Sequence, residues 1–147
     1  MRSELTRQLR GDEGVKATVY KDHLGFDTIG VGRLVDSRKA GSGLRSHEID
    51  FLLQNDINDR IDQLMRRLPW FQDLDDARKG VLLNMSFQMG VEGLLGFKNT
   101  LAMVERGDYA AAAKGMLNSL WAKQTPARAK RMAEQMRSGE WQFTPGT

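Results

Sequence analysis

Cysteine is absent from these 147 residues and histidine occurs only twice. The first absence removes disulfide scaffolds, thiolate zinc sites and cysteine nucleophiles together. The second leaves His23 and His47, too far apart in sequence to form a local ligand pair. Apolar runs are short, and none has the roughly 20 residues that a membrane-spanning helix needs. The opening MRSELTRQLRGDEGVK carries a charge every few residues instead of the apolar centre of a secretory signal, so no export leader is expected. There is no internal repeat and no low-complexity tract.

What is present fits one globular domain: 40% hydrophobic and 28% charged residues, with a formal net charge of +3. The charge is unevenly placed. Residues 1–75 hold 12 Lys+Arg against 13 Asp+Glu, whereas residues 76–147 hold 10 against 6. A basic half favours polyanionic partners: nucleic acid, acidic membrane surfaces or anionic cell-wall polymers.

Hydrophobic spacing predicts a short amphipathic helix over 3–12, with Leu5 and Leu9 four apart, Ser3 as a cap and Gly14 as the stop. The period then changes. Thr18 to Tyr20 and Phe26 to Val31 are rich in β-branched and aromatic residues, and Asp22-His23-Leu24-Gly25 between them reads as the turn of a small hairpin. Gly30 and Gly32 in the second strand suggest a close approach to its backbone, and DSRKAGSG follows as a loop. From Ser46 helical spacing returns through Ile49, Leu53, Ile57, Ile61 and Leu64 and should end before Pro69. Asp76 to Met89 is apolar on nearly every side, as a central helix would be. Shorter helices are expected at 91–95, 99–106 and 109–117, and Thr125-Pro126 opens the last one. The eight methionines read as packing.

Chemical interest concentrates between Asp12 and Arg33. Glu13 stands where the first helix ends, and a carboxylate there faces the negative end of the helix dipole, a cost that a cation or a function must offset. Asp22 opens the turn nine residues later. A hairpin folding back beside a helix end can set two carboxylates across one cleft, the arrangement that cleaves glycosidic bonds with one acid and one base. Asp in a turn and Glu near a helix end are also ordinary, so spacing leaves both readings open. Other motifs fail: GVGRLV lacks the third glycine and the following helix of a dinucleotide fingerprint, Asp56-Ile57-Asn58-Asp59-Arg60 misses the calcium-loop pattern, and Ser86 has no nearby histidine. Asp56 borders the apolar stripe of the long helix and would need a partner if covered.

The blocks DEGVKATVYKDHLGFDTIGVG, NMSFQMG, GFKNTLAM and SLWAKQTPARAKRM, with the ending SGEW, resemble the corresponding blocks of the bacteriophage lysozyme family in its T-even branch. The arrangement E-G-x(5)-Y-x-D-x(5)-TIG-x-G carries most of this, because it fixes several unrelated residue types at once. The resemblance implies that Glu13 is a general acid, Asp22 the second carboxylate and Thr28 a threonine that helps to hold the attacking water. It further implies that Arg128 pairs with the acid, that Phe87 and Gln88 line the substrate cleft on the helical side, and that Gly32 and Leu34 line it on the hairpin side. Three positions depart from the family. Arg33 replaces a histidine that pairs with an aspartate on the long helix, here Asp56; the loop before that helix is shorter; and Gly115 stands where a polar cleft residue is expected.

The expected fold is α+β and mostly helical, lysozyme-like and two-lobed. Residues 1–147 form a single domain with a β-hairpin lobe over 13–45, a connecting helix over 46–68, and a helical lobe of 1–12 and 69–147. The implied function is a muramidase or endolysin that cleaves the β-1,4 bond between N-acetylmuramic acid and N-acetylglucosamine with inversion. No metal or organic cofactor is needed, the chain is a monomer, and peptidoglycan is the partner, with electrostatic contact to an anionic envelope. Its expected setting is the cytoplasm of an infected bacterium, then the periplasm and wall after a membrane lesion. A lytic transglycosylase needs one acid alone, so Asp22 and Thr28 argue against it; a silent wall-binding or tail module has no use for the acid and base; and the basic half lacks the interleaved aromatics of a nucleic-acid binder.

Overall fold

The structure, a computed structural model, describes the backbone of residues 1–13, 16–21, 27–30, 33–34 and 45–146, and the side chains of residues 1–13 and 45–146. The first helix, α1 (Arg2–Glu13), buries Leu5, Gln8 and Leu9 on one face. Ser3 is not its cap: the Leu5 amide donates to the Met1 carbonyl at 2.9 Å, so the helix starts one residue after the terminus. The terminal ammonium lies 2.9 Å from Glu4. That hydrogen bond raises the ammonium's pKa and lowers the glutamate's.

Three short strands follow, β1 (Lys16–Lys21), β2 (Asp27–Gly30) and β3 (Arg33–Leu34), in the order β1-β2-β3 with both pairings antiparallel. The expectation of an α+β molecule with a β-hairpin lobe is corrected here. Where side chains are described, the chain is 80% helical and contains no strand, so its body is helical. Among the described residues the strands are limited to these three segments, and a sheet this small has little independent stability. The turn expected around Asp22 to Gly25 and the loop over 36–43 lie outside the described residues.

The long helix α2 (Ser46–Arg67) buries Ile49, Leu53, Ile57 and Leu64 along one stripe, and at 1.5 Å per residue it is about 33 Å long. It stops before Pro69 as expected. A 3-10 turn at Phe71–Asp73, which helical periodicity does not reveal, plants Phe71 in the core. The Asp75 side chain then caps α3 (Asp76–Leu95) by accepting from the Arg78 amide at 3.2 Å. This helix is the central one, with Val81, Leu82, Leu83 and Met85 buried in succession. Where the sequence suggests two helices split at Gly90, the structure shows one path broken there, with Gly90 at φ 80 and ψ 163, a region essentially closed to residues with a Cβ.

Around α3 lie α4 (Lys98–Glu105), α5 (Tyr109–Leu117), α6 (Leu120–Gln124) and α7 (Pro126–Ser138). The short α6 was not expected; Ser119 caps it, its hydroxyl accepting from the Ala122 amide at 3.2 Å. Pro126 begins α7 as expected, but the Thr125 hydroxyl turns back to donate to the Trp121 carbonyl at 3.0 Å. Met85, Met116, Met132 and Met136 are fully buried, in keeping with a packing role. Among the described residues no helix is long and apolar enough to cross a membrane.

Candidate active site

Glu13 is the last residue of α1, where the final carbonyls concentrate the negative end of the helix dipole. The expected compensating cation is present. Arg128, on α7, donates through Nη2 to Glu13 Oε1 at 3.0 Å, and about one-fifth of the Glu13 side chain remains exposed. The pair joins the two ends of the sequence, and the arginine is itself held. Its Nε donates to Asn84 Oδ1 at 2.9 Å, and Nη2 lies 3.4 Å from the Asn84 carbonyl.

Beside Glu13, Asp12 has a side chain with no exposed surface. Its Oδ2 accepts from Asn84 Nδ2 at 2.9 Å and lies 3.7 Å from Arg128 Nε. Its Oδ1 accepts from Arg131 Nη1 at 2.8 Å and from the Thr144 hydroxyl at 2.8 Å. A buried carboxylate is tolerable when cations and hydrogen-bond donors surround it in this way. Asn84 also donates to Gln8 Oε1 at 3.0 Å, and Gln8 donates to Gln135 Oε1 at 2.6 Å. Gln8, Asn84 and Gln135 are all fully buried, and among the described residues no buried side-chain polar atom lacks a partner. The result is a rigid polar seam from the core to the Glu13 carboxylate, which itself keeps access to solvent.

On α3, facing α2 and α6, Phe87 and Gln88 stand at the edge of the same helical body. The Arg60 guanidinium carbon sits 5.3 Å from the centroid of the Phe87 ring. Gln88 Oε1 accepts from Trp121 Nε1 at 2.8 Å, and Trp121 meets Phe97 edge to face at 6.1 Å. A recess of about 420 Å³ opens beside them, lined by Gly96, Phe97, Leu120 and Trp121. Gly115 has a steric reason: a Cβ there would come within 2.9 Å of Thr100 Oγ1. α5 thus packs closely over Thr100 of α4 at a position that carries no side chain.

Of the residues singled out in the sequence, Glu13 and Arg128 come together and Phe87 and Gln88 lie on one helix edge. Thr28 lies on β2, in register with Tyr20 of β1 and Leu34 of β3, while Ile29 pairs with Arg33; only their backbone is described. Asp22 and Gly32 lie outside the described residues. Asp56 is half-buried on α2, and its pairing with Arg33 also falls outside what is described. The sequence reading missed Asp12, Asn84, Arg131 and Trp121. The usable signal was Asn84, a lone amide in the apolar run VLLNM, since such a group must find partners inside.

Comparison with known proteins places the chain among its relatives. The chain is 32% identical over 164 residues to the probable T4-type lysozyme 1 of Dictyostelium discoideum, covering 95% of this chain and 96% of that protein. It is 31% identical over 152 residues to the pre-baseplate central spike protein Gp5 of Enterobacteria phage T4, covering 87% of this chain and 26% of that protein. It is also 28% identical over 132 residues to the peptidoglycan hydrolase gp36 of Pseudomonas phage phiKMV, covering 88% of this chain and 15% of that protein. The profile of the phage lysozyme family matches residues 10–137, a span that takes in Glu13, the α3 edge and Arg128, and the chain therefore belongs to that family.

Proposed function

We propose that this chain is a peptidoglycan hydrolase that cleaves the β-1,4 bond between N-acetylmuramic acid and N-acetylglucosamine with inversion, and that it serves phage release. The observation that carries the reading is the setting of Glu13: a partly exposed carboxyl at a helix end, held at 3.0 Å by an arginine that is in turn fixed by a buried amide. In the proposed step Glu13 delivers its proton to the glycosidic oxygen as the bond to the sugar carbon breaks. Asp22, assigned from the family motif, takes a proton from a water held with Thr28, and that water attacks the opposite face of the sugar. Phe87, Gln88 and Trp121 offer an edge with one amide suited to glycan and stem peptide, and Gly32 and Leu34 are assigned to substrate binding from the family resemblance alone. Arg33 and Asp56 are assigned the link between the strands and α2. The proposed setting is the host cytoplasm and then the wall after a membrane lesion.

The test is digestion of purified peptidoglycan by the chain and by Glu13→Gln, with mass spectrometry of the products. Reducing muropeptides from the wild type and none from the variant are expected, with NMR showing the α-anomer formed first. Anhydro-muropeptides would replace hydrolysis by transglycosylation, and β-anomers formed first would replace inversion by retention.

A further inference from the structure

The chain does not stop at the end of α7. Gly139 turns at φ 74, and the segment after it lies across α1. Trp141 seats its ring on Gly80 of α3, where an added Cβ would come within 2.3 Å of the ring. Phe143 stacks on Trp141 with centroids 6.4 Å apart and planes 11° apart, and the Arg7 guanidinium carbon lies 3.7 Å from its centroid. The Gln142 carbonyl accepts from Gln8 at 2.7 Å, and its amide donates to Gln135 at 3.0 Å. The Thr144 hydroxyl donates to Asp12 Oδ1 at 2.8 Å, beside Arg131 Nη1, which lies 3.5 Å from that hydroxyl. Three points of α1 are thereby held in order along the helix: Arg7, Gln8 and Asp12.

We propose that the segment Trp141–Thr144 is a strap that positions the Glu13 carboxylate, with Thr144 as its positioning residue acting through Asp12. This inference rests on the proposed role of Glu13 as the acid. Asp12 is the preceding residue in the chain, so the contacts that fix its side chain also help to fix the last turn of α1, which carries Glu13. Its side chain is wholly covered, and its donors are Asn84, Arg131 and Thr144, with Arg128 poised at 3.7 Å. With the Thr144 donor gone, Oδ1 keeps Arg131 alone as its donor, and the carboxylate is no longer held against turning Oδ2 toward Arg128 Nε, which lies 3.7 Å away. Arg128 then moves toward Asp12 and away from Glu13, because its Nη2 cannot hold the acid at 3.0 Å while its fork swings to the neighbouring carboxylate. The strap thus decides how Arg128 divides itself between two adjacent carboxylates.

The experiment measures kcat and KM separately on soluble, uncrosslinked glycan strands for wild type, Thr144→Val, Thr144→Ser and Glu13→Gln, with circular dichroism and urea midpoints on each. Thr144→Val keeps the shape and removes the donor. It should lower kcat roughly tenfold, since small misplacements of a reacting group cost that much or more, with KM changed by less than about twofold. Thr144→Ser should restore most of the rate. A Val variant with wild-type kcat, a Ser variant as slow as Val, or a loss confined to KM would each overturn the strap. Should Thr144→Val not fold, Thr144→Ala, which removes the same donor with a smaller side chain, should lower kcat in the same direction, and an unchanged kcat there overturns the inference. An active Glu13→Gln would show instead that the functional reading itself has failed.

Discussion

Arg128 reaches Glu13 across 115 residues of sequence, and the same guanidinium stands 3.7 Å from Asp12. One cation therefore serves two adjacent carboxylates, the partly exposed one proposed to react and the covered one that anchors it. Removing it should be costly, because Asp12 would be left without one of its two cations and Glu13 without its partner. Arg128→Met is expected to lose roughly 3 to 5 kcal/mol of stability, the range for stranding a buried charge, and urea melts at neutral pH measure it. A loss below about 1 kcal/mol would place the pair among exposed bridges.

Glu13→Gln should behave in the opposite way. An amide is the same size and still accepts from Arg128, so the fold and its stability should stay within about 1 kcal/mol of the parent. Lysis should disappear, because the amide has no proton of suitable acidity to give. Turbidity loss on outer-membrane-permeabilised cells reads the outcome, and a rate within about tenfold of wild type would remove Glu13 from the acid role.

Gly80→Ala tests the seat of the strap. The added methyl would overlap the Trp141 ring, so either the helix or the tail must move, at a cost of about 1 to 3 kcal/mol, as expected for overpacking. A red shift in tryptophan emission should accompany the loss, as Trp141 lifts into water. Unchanged emission and stability would mean that the ring is not seated there.

The basic face of α6 and α7 is smaller than its sequence suggests. Lys123, Arg128, Lys130, Arg131 and Arg137 look like one cationic stripe, but Arg128 and Arg131 are committed to Asp12 and Glu13, and Arg137 pairs with Glu134. Lys123 and Lys130 remain exposed. Reversing both to glutamate is expected to slow lysis of whole cells several-fold at low salt and to matter little at high salt. A rate independent of ionic strength in both proteins would remove the envelope from the encounter step.

Arg67 at the end of α2 holds Glu92 on α3 at 2.7 Å. The hydrogen bond first, and the arginine's charge second, keep the Glu92 carboxyl below its ordinary value of 4.5. The folded chain therefore binds that proton more weakly than the unfolded chain. The contribution is complete above the ordinary value and is lost as pH falls through the lower folded one. The urea midpoints of wild type and Glu92→Gln should differ slightly at about pH 7 in low salt and converge as pH falls below the ordinary carboxylate range and through the lower folded value. An equal gap at both ends of that range would show that the carboxylate's charge is not involved.

Helix placement was legible because its signals are local. The stripe from Ile49 to Leu64, the stop before Pro69, the proline at the head of α7 and the glycine break at position 90 each act within a turn or two of the chain. What escaped was equally local but short: α6 and the 3-10 turn at Phe71–Asp73 span too few residues to show a period. The β-rich reading matches the extended backbone at 16–21 and 27–30, but it inflated three small strands into a lobe. β-branched residues report a preference for extended backbone and not the size of the sheet.

The sequence by itself determined the helical body, its main breaks and the placement of a carboxylate at the end of the first helix, because propensity, period and dipole act through neighbouring residues. Only the tertiary structure decided what that carboxylate meets. Arg128 arrives from the far end of the chain, Asn84 from the central helix and Thr144 from beyond the last one. Such contacts leave no period in the sequence, because burial brings together groups that the chain separates, and each buried polar atom must then find its partner wherever packing puts one.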